Sequence, residues 1–261
     1  MLFLYILIFY LLILAGSCSF QTKMIFFPSR LDANFQFDKS FVNSEVTIKT
    51  KDNESINGLF FPAKNDKVIL YFHGNAGSLE DWQFVFNNFK NLNFNFFIID
   101  YRGYGKSTGK ISEKGLYADG QAAYDYLIKS GFKPENIIIY GRSIGTGIAV
   151  EIASKNKSAS VILESPFSYF KKLANDKFPY LMPYIILRYS FNNLKKINGI
   201  NVPLLIIHGK KDEVIPFKFG KELFDCYKGE KVFLPIETGG HNNLSSYPEF
   251  SKAVSSFLSK H

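Results

Sequence analysis

The run Ile137-Ile138-Ile139-Tyr140-Gly141-Arg142-Ser143-Ile144-Gly145-Thr146-Gly147 decides how this chain is read. Residues 137–140 are apolar without interruption, as a strand buried on both faces must be. Residues 144–154 carry the pattern of a helix. Between them, G-x-S-x-G marks a tight strand-to-helix turn. Such a turn forces Ser143 into a strained backbone and pushes its hydroxyl out at the carboxyl edge of a sheet. The start of the helix places backbone N–H groups beside Ser143, where they can meet a developing negative charge.

A serine nucleophile needs a base, and the base needs an orienter. Two later turns supply both in order. After the apolar run 204–208 comes Gly209-Lys210-Lys211-Asp212, and after the run 232–236 comes Gly239-Gly240-His241-Asn242. The spacings are 69 residues (212 − 143) and 29 residues (241 − 212), room for intervening strand-helix units. His208 ends a strand and reads as a structural histidine. His261 ends the chain and is expected to be mobile. His73 precedes the nucleophile and is expected to fix its own loop, His73-Gly74-Asn75-Ala76-Gly77. That loop supplies the second donor of an oxyanion hole, so the donors are assigned to the backbone N–H groups of Asn75 and Ile144. Gly105-Lys106-Ser107 looks like the end of a phosphate-binding loop, but Asp100 stands where that motif requires glycine. Asp100 and Arg102 are expected instead to pin the loop by a local ion pair. No metal or organic cofactor is implied.

Around these turns the chain alternates strand and helix from about residue 67 onward. Residues 45–50 and 56–61 read as a hairpin, Val68–Phe72 and 94–100 as buried strands, and 161–163, 204–208 and 232–236 as further strands. Helices are expected at 78–89, 112–129, 144–154, 216–227 and 248–258. The pattern predicts an α/β fold, a mostly parallel central sheet with helices on both faces. Residues 166–202 form an aromatic-rich insertion broken by Pro166, Pro179 and Pro183, a short helical cap over the serine. Its aromatic residues either bury the cap onto the core or line an acyl-chain site.

HGNAG at 73–77, DYRGYGKSTG at 100–109, GRSIGTG at 141–147, LESPF at 163–167, HGKKDEVIP at 208–216 and GGHNNL at 239–244 resemble one branch of the α/β-hydrolase superfamily. It is the membrane-associated, bud-emergence-like serine hydrolases, relatives of the protein depalmitoylases. FFPS at 26–29 also looks like that family, and the likeness runs from about Ile25 to the C-terminus. The resemblance implies the α/β-hydrolase fold, with Ser143 as nucleophile, Asp212 as acid and His241 as base. Asn243 stands where the relatives frequently carry Asp, beside the triad rather than in it.

Composition bounds the remaining readings. The 261 residues are 46% hydrophobic and 21% charged, which excludes a disordered chain. Two cysteines cannot make a disulfide scaffold. The net charge of +8 comes from 31 basic and 23 acidic residues with no long basic run, so no nucleic-acid partner is expected. Residues 2–15 are 14 uncharged apolar residues, short of the ~20 that span a bilayer. With the small residues before Cys18, residues 1–18 read as a signal peptide or membrane anchor ending in a sequence that resembles a bacterial lipobox. A signal-anchor extending to Phe20 is the competing reading; Lys23 and Arg30 after it favour a cytoplasmic body. Cys226 reads as a packed thiol within a helix. Residues 24–261 are expected to form one hydrolase domain, monomeric, cleaving ester or thioester bonds of a small-molecule or lipid acyl substrate at a membrane surface. A serine peptidase of the same fold and a membrane-tethered, non-catalytic interaction protein are the alternatives.

Overall fold

A computed structural model describes Tyr5 and residues 18–38 and 44–261. The leader read at 1–18 lies almost wholly outside the described residues. Among the described residues no helix is long and apolar enough to cross a membrane.

Eight strands make one sheet: β1 (Ser44–Lys49), β2 (Ser55–Phe61), β3 (Val68–Phe72), β4 (Asn95–Ile99), β5 (Ile137–Arg142), β6 (Ser160–Glu164), β7 (Leu204–Gly209) and β8 (Lys231–Ile236). Their order across the sheet is β8-β7-β6-β5-β3-β4-β2-β1. The strands from β3 to β8 run parallel, and only β2 runs against its neighbours. β3, β4, β6 and β7 are buried along their whole lengths and β5 in all but its last residue, Arg142, which is why the sequence shows apolar runs there. β8 is a partly exposed edge and carries Pro235.

Alternate side chains feed two cores. Leu70, Phe72, Ile139, Val161 and Ile206 meet α3 (Glu113–Lys129), α4 (Gly145–Lys155) and α8 (Phe217–Cys226) on one face. Ile69, Tyr71, Ile138, Tyr140 and Leu205 meet α2 (Leu79–Trp82) and α9 (Pro248–Lys260) on the other. A further helix, α1 (Cys18–Ile25), precedes the sheet, and α5 (Phe170–Lys177), α6 (Pro183–Ile186) and α7 (Asn193–Lys196) lie between β6 and β7. The chain leaves β3 for β4 on one side and returns for β5 on the other. The crevice at that reversal, beyond the carboxyl ends of the strands, is where ligands bind in such sheets.

Three expectations need correction. The helix expected over 78–89 is α-helical only at Leu79–Trp82 and continues as a 3-10 helix, Gln83–Asn88. Phe86, Phe89 and Leu92 all pack on the core at a spacing of three, the period at which a 3-10 helix aligns its side chains. His261 is not free: its ring packs on Phe257 with centroids 4.9 Å apart. Asp100 and Arg102 do not pair with each other. Asp100 accepts from the Leu79 N–H at 3.1 Å and lies 3.5 Å from His73. Arg102 instead forks onto Asp119, with Nε and Nη2 at 3.0 and 2.9 Å from Oδ1, and reaches Asp52 at 2.7 Å.

Asp119 is fully buried, and burial raises its carboxyl to about 6 against the pull of Arg102. Arg102→Ala would strand that charge, at a cost of about 3–5 kcal/mol. Urea denaturation is expected to show this loss growing as pH rises above 6, and a smaller one at lower pH, where Asp119 is protonated.

Candidate active site

The turn after β5 is held from both sides. Ser143 has φ of 53°, left-handed for a residue with a Cβ, at a cost of roughly 1–3 kcal/mol. Its N–H donates to the Glu164 carbonyl at 2.9 Å, and its carbonyl accepts from the Thr146 N–H at 3.0 Å and the Thr146 hydroxyl at 2.6 Å. The flanking glycines are required by contact. A Cβ on Gly145 would collide with the carbonyl oxygens of Phe72 and His73, and one on Gly141 would lie 2.6 Å from the Ala149 Cβ.

Ser143, His241 and Asp212 are brought together in a line. His241 Nε2 is 3.0 Å from the Ser143 Oγ, and His241 Nδ1 is 2.8 Å from Asp212 Oδ2. Asp212 follows β7, and its Oδ1 accepts from the N–H groups of Val214 at 2.9 Å and Ile215 at 2.7 Å. Burial pushes this carboxyl up, but hydrogen bonding with His208 and His241 and the Ile215 N–H outweighs burial and holds it well below the usual range. An ionised Asp212 has no proton to give, so Nδ1 of His241 donates and Nε2 accepts from the serine hydroxyl. His208 is structural, as read: buried, with Nε2 2.8 Å from the Ile215 carbonyl and 3.4 Å from Asp212.

The loop after β3 lies against the nucleophile. A Cβ on Gly74 would sit 3.9 Å from the Ser143 Cβ. His73 fixes this loop, with Nδ1 2.7 Å from the Gly74 carbonyl and its ring 4.3 Å from that of Tyr101. Among the described residues, the N–H groups of Asn75 and Ile144 donate to no protein acceptor.

A family of the alpha/beta hydrolase fold matches residues 67–187. Over 197 residues the chain is 40% identical to alpha/beta hydrolase domain-containing protein 17B of Homo sapiens, covering 74% of this chain and 66% of that protein. It is 38% identical over 194 residues to protein 17C of Homo sapiens, covering 74% and 58%. The chain belongs to the α/β-hydrolase family. The match leaves at least a third of each of these relatives uncovered. Among solved structures, an esterase of Pyrococcus furiosus superposes with a TM-score of 0.73 at 22% identity, covering 90% of this chain and 98% of that one. An esterase from Exiguobacterium antarcticum gives 0.66 at 18%, covering 83% and 100%. These two likenesses carry the fold.

In this α/β-hydrolase a second set of side chains surrounds the histidine loop, and the sequence reading missed it. The Arg142 Nη2 donates to the Asn242 Oδ1 at 3.1 Å and its Nε lies 3.2 Å from buried Glu164. The guanidinium rests 5.0 Å from the Trp82 ring centroid. A signal was present: Glu164 is a charge closing the apolar run Val161–Leu163 of a buried strand, which demands a partner. Beside this group opens a cleft of about 530 Å³ walled by Trp82, Val85 and Arg142. The cap divides in two. Phe167, Tyr189 and Phe191 are buried, whereas Phe178, Tyr180, Met182, Tyr184 and Ile185 are exposed.

The pH behaviour of Asp212 follows from its lowered value. Ionised Asp212 stabilises the fold at neutral pH, and that contribution fades only as pH falls below 3.8, toward its folded-state value. Asp212→Asn is expected to cut kcat by about 10⁴-fold, by leaving His241 in the wrong tautomer. In thermal denaturation its deficit in stability at neutral pH should close in acid, below ~pH 4.

Proposed function

We propose that this α/β-hydrolase is a serine hydrolase cleaving carboxylic ester or thioester bonds of acyl substrates. The observation that carries the reading is the line of two hydrogen bonds, Asp212 to His241 to Ser143. The Ser143 Oγ attacks the acyl carbonyl while His241 Nε2 takes its proton. The tetrahedral oxyanion accepts hydrogen bonds from the N–H groups of Asn75 and Ile144, each worth roughly 2.7–4 kcal/mol in the transition state. His241 returns the proton to the leaving alcohol or thiol. Water, deprotonated by His241, then releases the acid from the acyl-enzyme. Asp212 stays ionised throughout and steadies the imidazolium.

The exposed apolar side of the cap supports a lipid-linked substrate and work at a membrane surface. Phe20 and Met24 are exposed on α1, and residues 1–31 contain no acidic residue, which favours anionic headgroups. Residues 1–18 provide the anchor in this reading.

Ser143→Ala is expected to lose on the order of 10⁶ in kcat and all labelling by a fluorophosphonate probe. Wild type labelling no better than this variant would overturn the reading in favour of a non-catalytic protein. Turnover of p-nitrophenyl esters and acyl thioesters of graded chain length, against peptide amides, tests the bond class, and activity confined to amides would refute it. Detergent-free fractionation of Cys18→Ser tests lipidation, with a shift out of the membrane fraction as the expected result.

A further inference from the structure

The segment between the leader and the sheet is stitched to the loop that carries one oxyanion donor. Residues 27–28 form a short parallel ladder with residues 76–77, Phe27 beside Ala76 and Pro28 beside Gly77. Asn75 is gripped at both of its remaining polar groups. Its Nδ2 donates to the Ile25 carbonyl at 2.8 Å, and its own carbonyl accepts from the Phe27 N–H at 2.9 Å and the Tyr104 hydroxyl at 2.8 Å. Beyond this point the Ser29 N–H donates to the Gly77 carbonyl at 2.9 Å and the Ser29 carbonyl accepts from the Gly105 N–H at 2.8 Å. The segment is thus wedged between two loops. Buried Phe26 anchors it, with its ring 5.0 Å from that of Tyr189. Upstream, Gln21 on α1 donates to the Ile186 carbonyl at 2.9 Å and accepts from the Arg188 N–H at 3.0 Å, both in the cap.

We propose that residues 25–29 are a positioning strap for the oxyanion hole, holding the Asn75 side chain and the Asn75–Ala76 peptide and so fixing the residue whose N–H points at the developing charge. The idea rests on the serine-hydrolase reading above. The physical reason is that the Asn75 N–H contributes only if it is held in place before the charge appears, since a donor that must reorient loses much of its advantage. The Asn75 N–H belongs to the Gly74–Asn75 peptide, whose carbonyl lies 2.7 Å from His73 Nδ1; on its far side Asn75 is followed by the small residues Ala76 and Gly77, which give it no comparable hold. The grips on the side-chain amide and the carbonyl supply what the loop lacks. They stabilise the tetrahedral oxyanion more than the bound ester, so their loss falls on kcat rather than KM.

Two variants of the full chain test this. Asn75→Ala keeps the backbone N–H and removes the hold on Ile25. Phe27→Pro removes the N–H that donates to the Asn75 carbonyl, with no change to the loop's own sequence. Each is expected to lower kcat on a p-nitrophenyl ester by about tenfold or more, with KM within about twofold of wild type. Affinity for an alkyl boronic acid, whose tetrahedral adduct with Ser143 presents an oxygen to the hole, should fall in parallel. Unchanged kcat and boronic-acid affinity in either folded variant, a change confined to KM, or unfolding of both variants would overturn the strap. A wild-type chain that neither labels with fluorophosphonate nor turns over the ester would overturn the serine-hydrolase reading itself, a separate result.

Discussion

The carboxyl edge of the sheet depends on how closely the turn at Ser143 presses against the end of β3. Gly145 packs so near the Phe72 and His73 carbonyls that no side chain fits between them. That approach brings the start of α4 alongside the loop 73–77. The left-handed Ser143 is the strained element of this contact, held by its bonds to Glu164 and Thr146. The parallel register of β5, β6, β7 and β8 then carries Asp212 and His241 to the same edge. The geometry of this candidate site is a consequence of strand register, with loops completing it.

Buried charge is arranged around this edge in separate, locally closed groups. Asp212 is satisfied by two histidines and two backbone N–H groups. Glu164 takes Arg142 and the Tyr140 hydroxyl, the latter at 2.6 Å. Asp119 takes Arg102. Asp100 has the Leu79 N–H and lies near His73, and burial raises its carboxyl. Each group fixes a loop that a purely apolar contact would leave free to slide.

The strands and the triad were legible because both leave strong local signals. Val68–Phe72 and Leu204–Ile207 are apolar runs with a glycine two residues beyond their ends, Gly74 and Gly209, and Ser143, Asp212 and His241 each lie within about five residues of the end of such a run. Partner choice was not legible. Arg102 stands two residues from Asp100, yet it pairs with Asp119 and Asp52, 17 and 50 residues away. Nothing in local sequence distinguishes these carboxylates; the fold of α3 against the loop does. The same holds for Asn75, whose partners at Ile25 and Phe27 lie about fifty residues upstream. The 3-10 stretch at Gln83–Asn88 failed for a different reason. Apolar residues spaced three and four apart suit either helix, and packing on the sheet decided between them.

The edge strand β8 bears on how the molecule behaves in concentrated solution. An open edge offers unpaired backbone donors and acceptors to a second chain. Here Pro235 removes one of the donors, and Lys231 puts a charge at the start of the strand. Both features oppose edge-to-edge growth of the sheet. The protein therefore carries its own guard against strand-mediated aggregation on the flank next to the histidine loop.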